Sequence, residues 1–389
     1  MTTNTAASRK GPLQGITVVD LSRILAGPYC TMMLSELGAR IIKVEPPERG
    51  DDARHYGPFV NGKSAYFQSI NRGKESIALN LKEEDDKAIF AELLKTADVV
   101  VENFRPGTME KLGFGWENLH PNYPNLIYAS ASGFGHSGPE MYRPAYDMVV
   151  QGMGGIMSVT GHPGTPPTRI GMSIGDIGSG LYATIGIQAA LFHRQLTGEA
   201  TKVDIGMLDC QVALLENAVM RYFVSGSAPG ALGARHPSIT PFEAYETEDG
   251  HIIIAAGNDS LFTKLSEAMG KTEWTDDPRY TTNDLRNQNV DALKSEMEAI
   301  LKTSTTAHWI SVLDEYGVPG GPINDVGQSA EHPQTQARNM IVTVDDPIMG
   351  PMKVAGNPVK LSGFPDATSR SPAPDLDQDR EQILNLFKN

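Results

Sequence analysis

The chain is poor in cysteine, in basic residues and in long apolar runs. Its 389 residues contain only Cys30 and Cys210, which excludes a disulfide framework and a cysteine-rich zinc site. Lys and Arg number 33 against 47 Asp and Glu, and this net charge of −14 excludes the general basic field of a nonspecific nucleic-acid or membrane binder. No run approaches the roughly 20 apolar residues of a membrane span. We therefore expect a soluble cytoplasmic protein, with residues 1–10 as a polar tail rather than an export signal.

The signatures of several common enzyme classes are absent as well. The turn Arg23-Ile-Leu-Ala-Gly-Pro lacks the G-x-G-x-x-G pattern of dinucleotide sites, and no G-x-x-x-x-G-K-[ST] phosphate loop occurs. A G-x-S-x-G nucleophile motif is missing. The nine histidines include no H-x₃-H pair and no HExxH motif. These absences argue against NAD, ATP and a metal centre, so no tightly bound cofactor is expected.

The N-terminal half alternates short apolar runs with stretches of helical spacing. Residues 16–20 are largely β-branched, residues 29–37 repeat apolar side chains at helical intervals, and residues 40–44 form a second apolar run. This βαβ pattern continues along the chain and predicts a Rossmann-like α/β domain with a mostly parallel sheet covered by helices. The further predicted elements are strands at 76–81, 98–103, 126–130 and 202–207, and helices at 83–96 and 175–194.

The second half of the chain has a different composition. Residues 224–241 are rich in Gly, Pro and Ser, which is typical of a linker. Residues 242–325 combine a strand pair with charged amphipathic helices and predict a smaller α+β domain. Residues 326–364 are interpreted as a return linker, after which about 365–389 complete the large domain of residues 1–223. The helices predicted in this half span 259–268, 285–303, 306–316 and 375–387.

Two carboxylates are candidates for chemistry. Asp176 is flanked by glycines at the start of a helix of small residues, and Asp147 follows Arg-Pro-Ala-Tyr. Free N–H groups at a helix N-terminus stabilise a carboxylate, so one interpretation of Asp176 is a structural N-cap. The other is a nucleophile, because Asp can form covalent acyl intermediates and glycine lets a bulky substrate reach the backbone. The residues alone leave both interpretations open.

A local excess of basic residues lies between residues 40 and 82. Eight lysines and arginines oppose five acidic residues there, a balance of +3 within a chain of net charge −14. A groove for a phosphorylated cofactor and a solvated face with a chance excess of charge both fit this composition. The cations of this basic strip are Arg40, Lys43, Arg49, Arg54, Lys63, Arg72, Lys74 and Lys82.

A series of ordered motifs runs through nearly the whole chain. Three of them are Leu-Ala-Gly-Pro at 25–28, Val-Glu-Asn-Phe-Arg-Pro-Gly at 101–107 and Gly-Asp-Ile-Gly-Ser-Gly at 175–180. In these motifs the chain resembles the family III CoA-transferases, the formyl-CoA:oxalate and carnitine CoA-transferase family. Further matching motifs lie at 37–47, 50–54, 71–82 and 131–135.

The resemblance implies a reaction and the residues that carry it. It implies that Asp176 is the nucleophile, which passes through a mixed anhydride to an aspartyl-CoA thioester that the acceptor carboxylate then displaces. Acyl-CoA and a small carboxylic acid are the implied substrates, and the basic strip becomes a candidate phosphate site. The implied CoA-binding residues are Leu25, Ala26, Leu79, Asn80, Leu81, Lys82, Asn103, Phe104, Arg105, Lys111, Tyr146 and Asp147.

The resemblance also suggests an assembly and a substrate pair. The family builds interlocked homodimers in which each ring-like subunit threads through the other. Within the family the chain is most similar to members that use acetyl-CoA and oxalate, with formyl-CoA- and succinyl-CoA-dependent transfer as alternatives. Residues 224–260 lack the extended glycine-rich loop of the formyl-CoA members, and Pro46 stands where an Arg near the adenine can occur. Gly230–His236 and Gly257-Asn258 are candidates for binding the acceptor carboxylate.

Two other functions remain open. The same fold hosts 2-methylacyl-CoA racemases, which move a proton at the α-carbon with an Asp and a His. Tyr146 stands at the position of that His, and a phenol is a poor base near neutral pH. Asp147 could still partner Asp176 in proton transfer, so racemase activity stays an alternative. A non-catalytic CoA-binding module is the other.

Overall fold

The computed structural model describes residues 10–387, and the polar tail predicted over 1–10 lies outside this range except for Lys10. The chain divides into two compact units. The larger unit holds the described residues up to Met157, Arg169–Ala228 and the described residues from Pro333 onward. The smaller unit holds Ser158–Thr168 and Pro229–His332. Within the described range, no helix is long and apolar enough to cross a membrane.

A six-stranded, fully parallel sheet forms the centre of the larger unit. Its strands are short and rich in Val and Ile, which suits strands that are buried on both faces. The strands in this part of the chain are β1 Thr17–Asp20, β2 Arg40–Glu45, β3 Phe59–Val60, β4 Lys63–Ser64, β5 Glu75–Ala78, β6 Val99–Glu102, β7 Ile127–Ser132 and β8 Lys202–Gly206. The sheet order is β5-β2-β1-β6-β7-β8, while β3 and β4 form a separate hairpin. The predicted α/β class is therefore confirmed.

Helices cover both faces of this sheet. On one face Val18 and Val99 pack with Leu34 and Ile187 of helices α1 and α7. On the other face, the strand residues that point away from α1 and α7 pack against helices α3, α4 and α5. Val100, for example, belongs to the same hydrophobic cluster as Phe90 of α3. The helices are α1 Ala26–Glu36, α2 Ala65–Asn71, α3 Glu84–Lys95, α4 Thr108–Leu112, α5 Trp116–Asn122, α6 Asp147–Met153, α7 Ile174–Thr197, α8 Met207–Leu214 and α9 Asn217–Ser225.

The smaller unit is a three-stranded antiparallel sheet with helices. Its strands are β9 Phe242–Glu246, β10 His251–Ala255 and β11 Gly320–Pro322, in the order β11-β10-β9. The helix predicted over 285–303 is broken at Asn289, whose side-chain amide donates to the Leu285 carbonyl at 2.9 Å and competes with the backbone. The helices are α10 Asp259–Ala268, α11 Asn283–Gln288, α12 Val290–Leu301, α13 Thr306–Tyr316 and α14 Val326–Glu331.

Residues 326–364, predicted as a linker, contain regular structure. Besides α14 they form α15 Pro333–Ala337 and the antiparallel pair β12 Ile341–Asp346 and β13 Gly350–Ala355, to which β14 Ser369–Arg370 adds in parallel with β12. The alternation in β12 buries Val342 and Val344 and is a strand signal that the surrounding Pro and Gly obscure.

The last described residues complete the edge of the large sheet. Asp379 and Asp377 accept the N–H groups of Ser76 and Ala78 in edge strand β5, at 2.9 and 2.7 Å. The predicted terminal helix over 375–387 is shorter, with α16 at Arg380–Leu384 followed by a 3-10 turn. Edge strand β5 therefore has part of its hydrogen-bonding capacity satisfied from the far end of the chain.

The sheet order reverses direction between β1 and β6. Strands β2 and β5 lie on one side of β1, and β6, β7 and β8 lie on the other. In open parallel sheets the loops separate at such a point and leave a crevice at the carboxyl ends of the strands, where ligands bind. We therefore expect the chain segments after β1 and β6 to line a ligand-binding site.

Candidate active site

The loops that follow β1 and β6 are joined by reciprocal hydrogen bonds. The Arg23 N–H donates to Asn103 Oδ1 at 2.8 Å, and Asn103 Nδ2 donates to the Arg23 carbonyl at 2.7 Å. Ile24 takes a left-handed conformation (φ 68°), strained for a β-branched residue, and its N–H donates to the buried Asp51 carboxylate at 3.0 Å. The predicted CoA-binding residues Leu25-Ala26 therefore start α1 beside the predicted loop 103–105.

Two glycines allow close packing at the beginning of α1, one against the loop after β1 and the other between α1 and α7. A Cβ atom on Gly27 would lie 2.2 Å from Ser22 Cβ, and one on Gly180 would lie 2.8 Å from the Ala26 carbonyl oxygen. Neither position accepts a larger side chain without movement of its neighbours. Glycine in the 175–180 motif thus packs the first turns of α7 against the beginning of α1.

The carboxylate of Asp147 lies against the first turn of α7. Asp147 starts α6, is 8% exposed, and accepts the Gly175 N–H through Oδ1 at 2.8 Å. A Cβ atom on Gly175 would come within 2.9 Å of that same oxygen, so only glycine allows the approach. Asp176 is the next residue, and the structure thus brings the two candidate carboxylates together.

The environment of Asp176 disfavours its charged form. Burial and, second, the negative charge of Asp147 raise the pKa of Asp176 to about 7. No side chain or N–H group of the described residues donates a hydrogen bond to its carboxylate. Helix α7 begins at Ile174 with Ser173 as its N-cap, so Asp176 is inside the first turn. The N-cap interpretation of Asp176 is therefore wrong.

Tyr66, which lies near Asp176, and Tyr56, which contacts Tyr66, were not predicted from the sequence. The rings of Tyr56 and Tyr66 meet edge to face, with centroids 5.9 Å apart. Burial and then the charge of Asp176 raise the pKa of Tyr66 to about 12, and burial and then nearby charges, with Tyr146 among them, raise that of Tyr56. The short helix α2, which carries Tyr66, was not predicted, and its signal is the Ser64 side chain that caps it.

The other predicted CoA-binding residues differ in accessibility. Leu79 and Leu81 are buried in the core beneath the sheet, so of residues 79–82 only the Asn80 and Lys82 side chains reach outward. Arg105 is exposed beside Phe104, whereas Lys111 is exposed on α4 and no described contact joins it to the other predicted residues.

The basic strip is mostly engaged in internal ion pairs. Lys43 and Lys74 are fully buried and pair with Asp51 at 2.9 Å and Asp20 at 3.1 Å. Burial lowers the pKa of Lys74 to about 8, although Asp20 opposes the shift. The interpretation of the whole strip as a phosphate site is therefore wrong, because buried pairs cannot turn outward. Arg40, Arg54, Lys63 and Arg72 pair likewise with Glu75, Glu45, Asp346 and Glu36.

A buried glutamate supports the loop after β6. Glu102 Oε2 accepts the Phe104 N–H at 2.7 Å, and its Oε1 accepts the Tyr128 hydroxyl at 3.0 Å. Burial raises the pKa of Glu102 to about 7. The conformation of residues 103–105 thus depends on a carboxylate that the sequence analysis did not single out.

The two candidate acceptor segments lie in the smaller unit. Within Gly230–His236, the Gly233 N–H donates to the Gly161 carbonyl at 2.8 Å. In the second segment Asn258 uses its side-chain oxygen to cap α10, at 2.9 Å from the Leu261 nitrogen, while Gly257 is exposed. No group of three or more His, Cys, Asp or Glu within residues 10–387 could hold a metal ion.

Comparisons with known proteins agree with this architecture. The model of CoA-transferase family III matches residues 13–380. The acetyl-CoA:oxalate CoA-transferase of Acetobacter aceti is 47% identical over 388 residues, which cover 100% of this chain and 98% of that protein. The succinate–glutarate CoA-transferase of Agrobacterium fabrum is 40% identical, over 97% of this chain and 96% of that protein.

Solved structures give the same result. The crystal structure of a CaiB/BaiF family protein from Brucella suis superposes with a TM-score of 0.84 at 40% identity, covering 97% of this chain and 99% of that one. Both the sequence relatives and the fold match over nearly the full length. This chain therefore belongs to CoA-transferase family III and is a CoA-transferase.

Proposed function

We propose that this enzyme transfers CoA from acetyl-CoA to oxalate through a covalent intermediate on Asp176. The observation that carries the proposal is the Asp176 carboxylate itself, which is partly buried at the start of α7 and accepts no hydrogen bond from the described residues. A poorly solvated carboxylate is a stronger nucleophile than a hydrated one. The substrate pair is carried over from the relative in Acetobacter aceti, at 47% identity.

The first half-reaction moves CoA onto the enzyme. An Asp176 carboxylate oxygen attacks the thioester carbonyl of acetyl-CoA, and the C–S bond breaks to give an aspartyl-acetyl anhydride and CoA thiolate. The thiolate then attacks the carbonyl carbon of Asp176 and releases acetate, which leaves an aspartyl-CoA thioester. Neither step needs an external proton donor or oxidant.

The second half-reaction reverses this order with the acceptor. An oxalate carboxylate oxygen attacks the thioester carbonyl of Asp176 and releases CoA thiolate from an aspartyl-oxalyl anhydride. The thiolate attacks the oxalyl carbonyl, and oxalyl-CoA leaves with the Asp176 carboxylate restored. Because each step exchanges acyl groups of similar activation, the protein contributes mainly positioning and oxyanion stabilisation.

CoA occupies the crevice at the carboxyl ends of β1, β5 and β6 in this proposal. The exposed cations Lys82, Arg105 and Lys111 are its phosphate contacts, and the backbone of residues 25–26 lines the pantetheine. Leu79 and Leu81 contribute through their backbone, because their side chains are buried in the core. The pantetheine thiol ends near Asp176, beyond Tyr146-Asp147.

Racemase activity is disfavoured by the engagement of Asp147. Its Oδ1 accepts the Gly175 N–H and its Oδ2 accepts the Gln151 side-chain amide, both at 2.8 Å. A general base must reach the proton that it removes, and neither oxygen of Asp147 can approach a substrate proton without giving up one of these hydrogen bonds.

The proposed assembly is a homodimer of the interlocked kind. Helix α9 buries none of its residues and presents Phe223 and Val224 with 74% and 79% of their surface exposed. The outer side of α7 adds exposed Ile185, Phe192 and Leu196. Apolar surface of this extent on one unit is typical of a subunit interface. Light scattering during size exclusion checks this, since a monomer contradicts it.

The function is tested by mass spectrometry and product analysis. We expect acetyl-CoA without acceptor to leave CoA attached to Asp176, the adduct to disappear with hydroxylamine, and oxalate to yield oxalyl-CoA. Formyl-CoA and succinyl-CoA serve as rival donors, and glutarate and succinate as rival acceptors. If only a rival donor and acceptor turn over, the assignment of acetyl-CoA and oxalate is wrong. If the α-proton of 2-methylacyl-CoA exchanges without an acceptor, the enzyme is a racemase and not a transferase.

The Asp176→Ala variant should bind CoA but catalyse no transfer. If the wild-type protein transfers CoA between none of these donors and acceptors, it is a non-catalytic CoA-binding module.

A further inference from the structure

A fully buried glutamine stands behind the two carboxylates. Gln151 lies on α6, one turn after Asp147, and has no exposed surface. Its Nε2 donates to Asp147 Oδ2 at 2.8 Å and lies 3.4 Å from the Met172 carbonyl, and its Oε1 accepts the Ile170 N–H at 2.9 Å. One side chain therefore connects α6 with the segment that leads into α7.

The orientation of the Gln151 amide is determined by its partners. The Ile170 N–H can only donate, so it requires the amide oxygen, and the amide nitrogen must face Asp147. Each oxygen of Asp147 then accepts one hydrogen bond, from Gln151 or from the Gly175 N–H. These two hydrogen bonds hold the Asp147 carboxylate in one orientation.

The same contacts hold the chain on both sides of the turn before Asp176. Gln151 fixes residues 170 and 172, and Asp147 fixes the N–H of Gly175. The carboxylate of Asp176 accepts no hydrogen bond from the described residues. Its position is therefore determined by the backbone of this segment. Asp147 is the charged group that acts on Asp176, whereas Tyr66 is influenced by Asp176, Asp51, Tyr56 and Asp147.

We propose that Gln151 is a positioning residue for Asp176, which holds Asp147 and the 170–175 segment so that the nucleophile faces the thioester. This inference rests on the proposed role of Asp176. Gln151 itself does not touch the substrate. Its loss therefore affects the chemical steps more than the binding of acyl-CoA, because Asp147 is the only proposed CoA-binding residue among its hydrogen-bond partners and the proposed phosphate contacts are not among them.

The test compares Gln151→Met with a matched variant of another buried glutamine. Gln68 is 1% exposed, lies on α2 and accepts the Ala373 N–H at 3.2 Å, while its Nε2 has no partner among the described residues, so Gln68→Met removes one buried hydrogen bond that does not involve α6. We expect Gln151→Met to lower kcat by about 10²-fold, the cost of a misplaced reacting group, with KM for acetyl-CoA changed less than about twofold. Gln68→Met should keep kcat at equal folded fraction.

Single-turnover formation of the aspartyl-CoA adduct should slow by the same factor as kcat. Should Gln151→Met not fold, Gln151→Glu keeps the size and the acceptor for Ile170 but cannot donate to Asp147 when ionised, and the same loss of kcat is expected. The inference is overturned if either folded variant keeps kcat within about threefold of wild type, or changes KM alone. Wild type and Asp176→Asn are measured in the same assay to separate the two proposals. An inactive wild type refutes the proposed function, whereas an active wild type with an inactive Asp176→Asn and an active Gln151→Met refutes only the role of Gln151.

Discussion

The Oδ1 atom of Asp147 accepts the N–H of Gly175 at 2.8 Å, so this buried carboxylate contacts the residue that directly precedes Asp176 in the sequence. Asp147 receives donors on both oxygens, while the carboxylate of Asp176 receives none from the described residues. Burial and, second, the negative charge of Asp147 raise the pKa of Asp176 to about 7, and this shift leads to the first two predictions.

Replacing Asp176 with Asn should remove turnover and stabilise the protein above pH 7. Loss of a covalent nucleophile typically lowers kcat by about 10⁴-fold or more. The pKa of Asp176 is raised from 3.8 to about 7 in the folded state, so the folded chain holds an extra proton between these values. The free energy of unfolding thus falls as pH rises through this window, and Asn removes that penalty.

The measurement is the melting temperature of both proteins at pH 5 and pH 8. The gain from Asp176→Asn should be larger at pH 8, and an equal or smaller gain there would falsify the interpretation. Asp314→Asn, on an exposed position of α13, is the control that should show no such difference.

The acid limb of the activity profile should follow the ionisation of Asp176. Because attack needs the carboxylate, kcat/KM for acetyl-CoA should rise with pH through a midpoint near 7 and then level off. Asp147→Asn removes the neighbouring charge, so its midpoint should move to lower pH even where its maximal rate is reduced. Initial rates between pH 5 and 9 give both midpoints. A midpoint that stays in place or moves upward contradicts the Asp147 contribution.

Gly175→Ala should reduce activity more than stability. The new Cβ would lie 2.7 Å from Val150 Cγ2 and 2.9 Å from Asp147 Oδ1, so α6 and the turn before Asp176 must separate. A displacement of about 1 Å at a reacting group can cost about 10²-fold in kcat. Gly171→Ala is the matched control, because no atom lies within 4 Å of its added Cβ. Equal kcat values for the two variants would show that the close approach at Gly175 is unimportant.

Lys74→Met should destabilise the protein severely. The buried Lys74 ammonium donates to Asp20, Asn71, Thr31 and the Pro28 carbonyl at 2.8–3.1 Å. Removing one partner of a buried ion pair typically costs about 3–5 kcal/mol. Urea unfolding measures the loss, and Lys95→Met, which removes an exposed pair with Glu92, should change stability little. A small effect at Lys74 would mean that Asp20 finds sufficient partners in Ser22 and Thr31, with the nearby charge of Lys43.

Much of the larger unit could be predicted from its sequence. The runs at 16–20 and 40–44 correspond to β1 and β2, since buried parallel strands are continuous apolar stretches. The hairpin at 341–355 was not predicted, because Pro and Gly interrupt its alternation. Short helices such as α2 carry too few turns for a periodic signal, and Tyr66 was missed with it.

The nature of the basic strip could not be read from composition. Lys43 and Lys74 look like surface cations in the sequence, yet their partners Asp51 and Asp20 belong to separate segments that only the folded sheet brings together. Net local charge counts ionisable groups but not their neighbours. The sequence singled out Asp147 and Asp176 separately, and the contact of Asp147 with the residue before Asp176 emerged only from the folded chain, where Gly175 allows the close approach.

The hydrogen bonds from Asp377 and Asp379 to β5 have a consequence for how the protein is made. They join residues 299 and 303 positions apart, at the edge of the same sheet whose carboxyl ends carry the proposed CoA crevice. Such long sequence separation slows folding, and a chain still on the ribosome cannot form these contacts until residue 379 has emerged. The edge of β5 therefore lacks these two acceptors throughout synthesis of the smaller unit, and its N–H groups stay open to other partners in that interval.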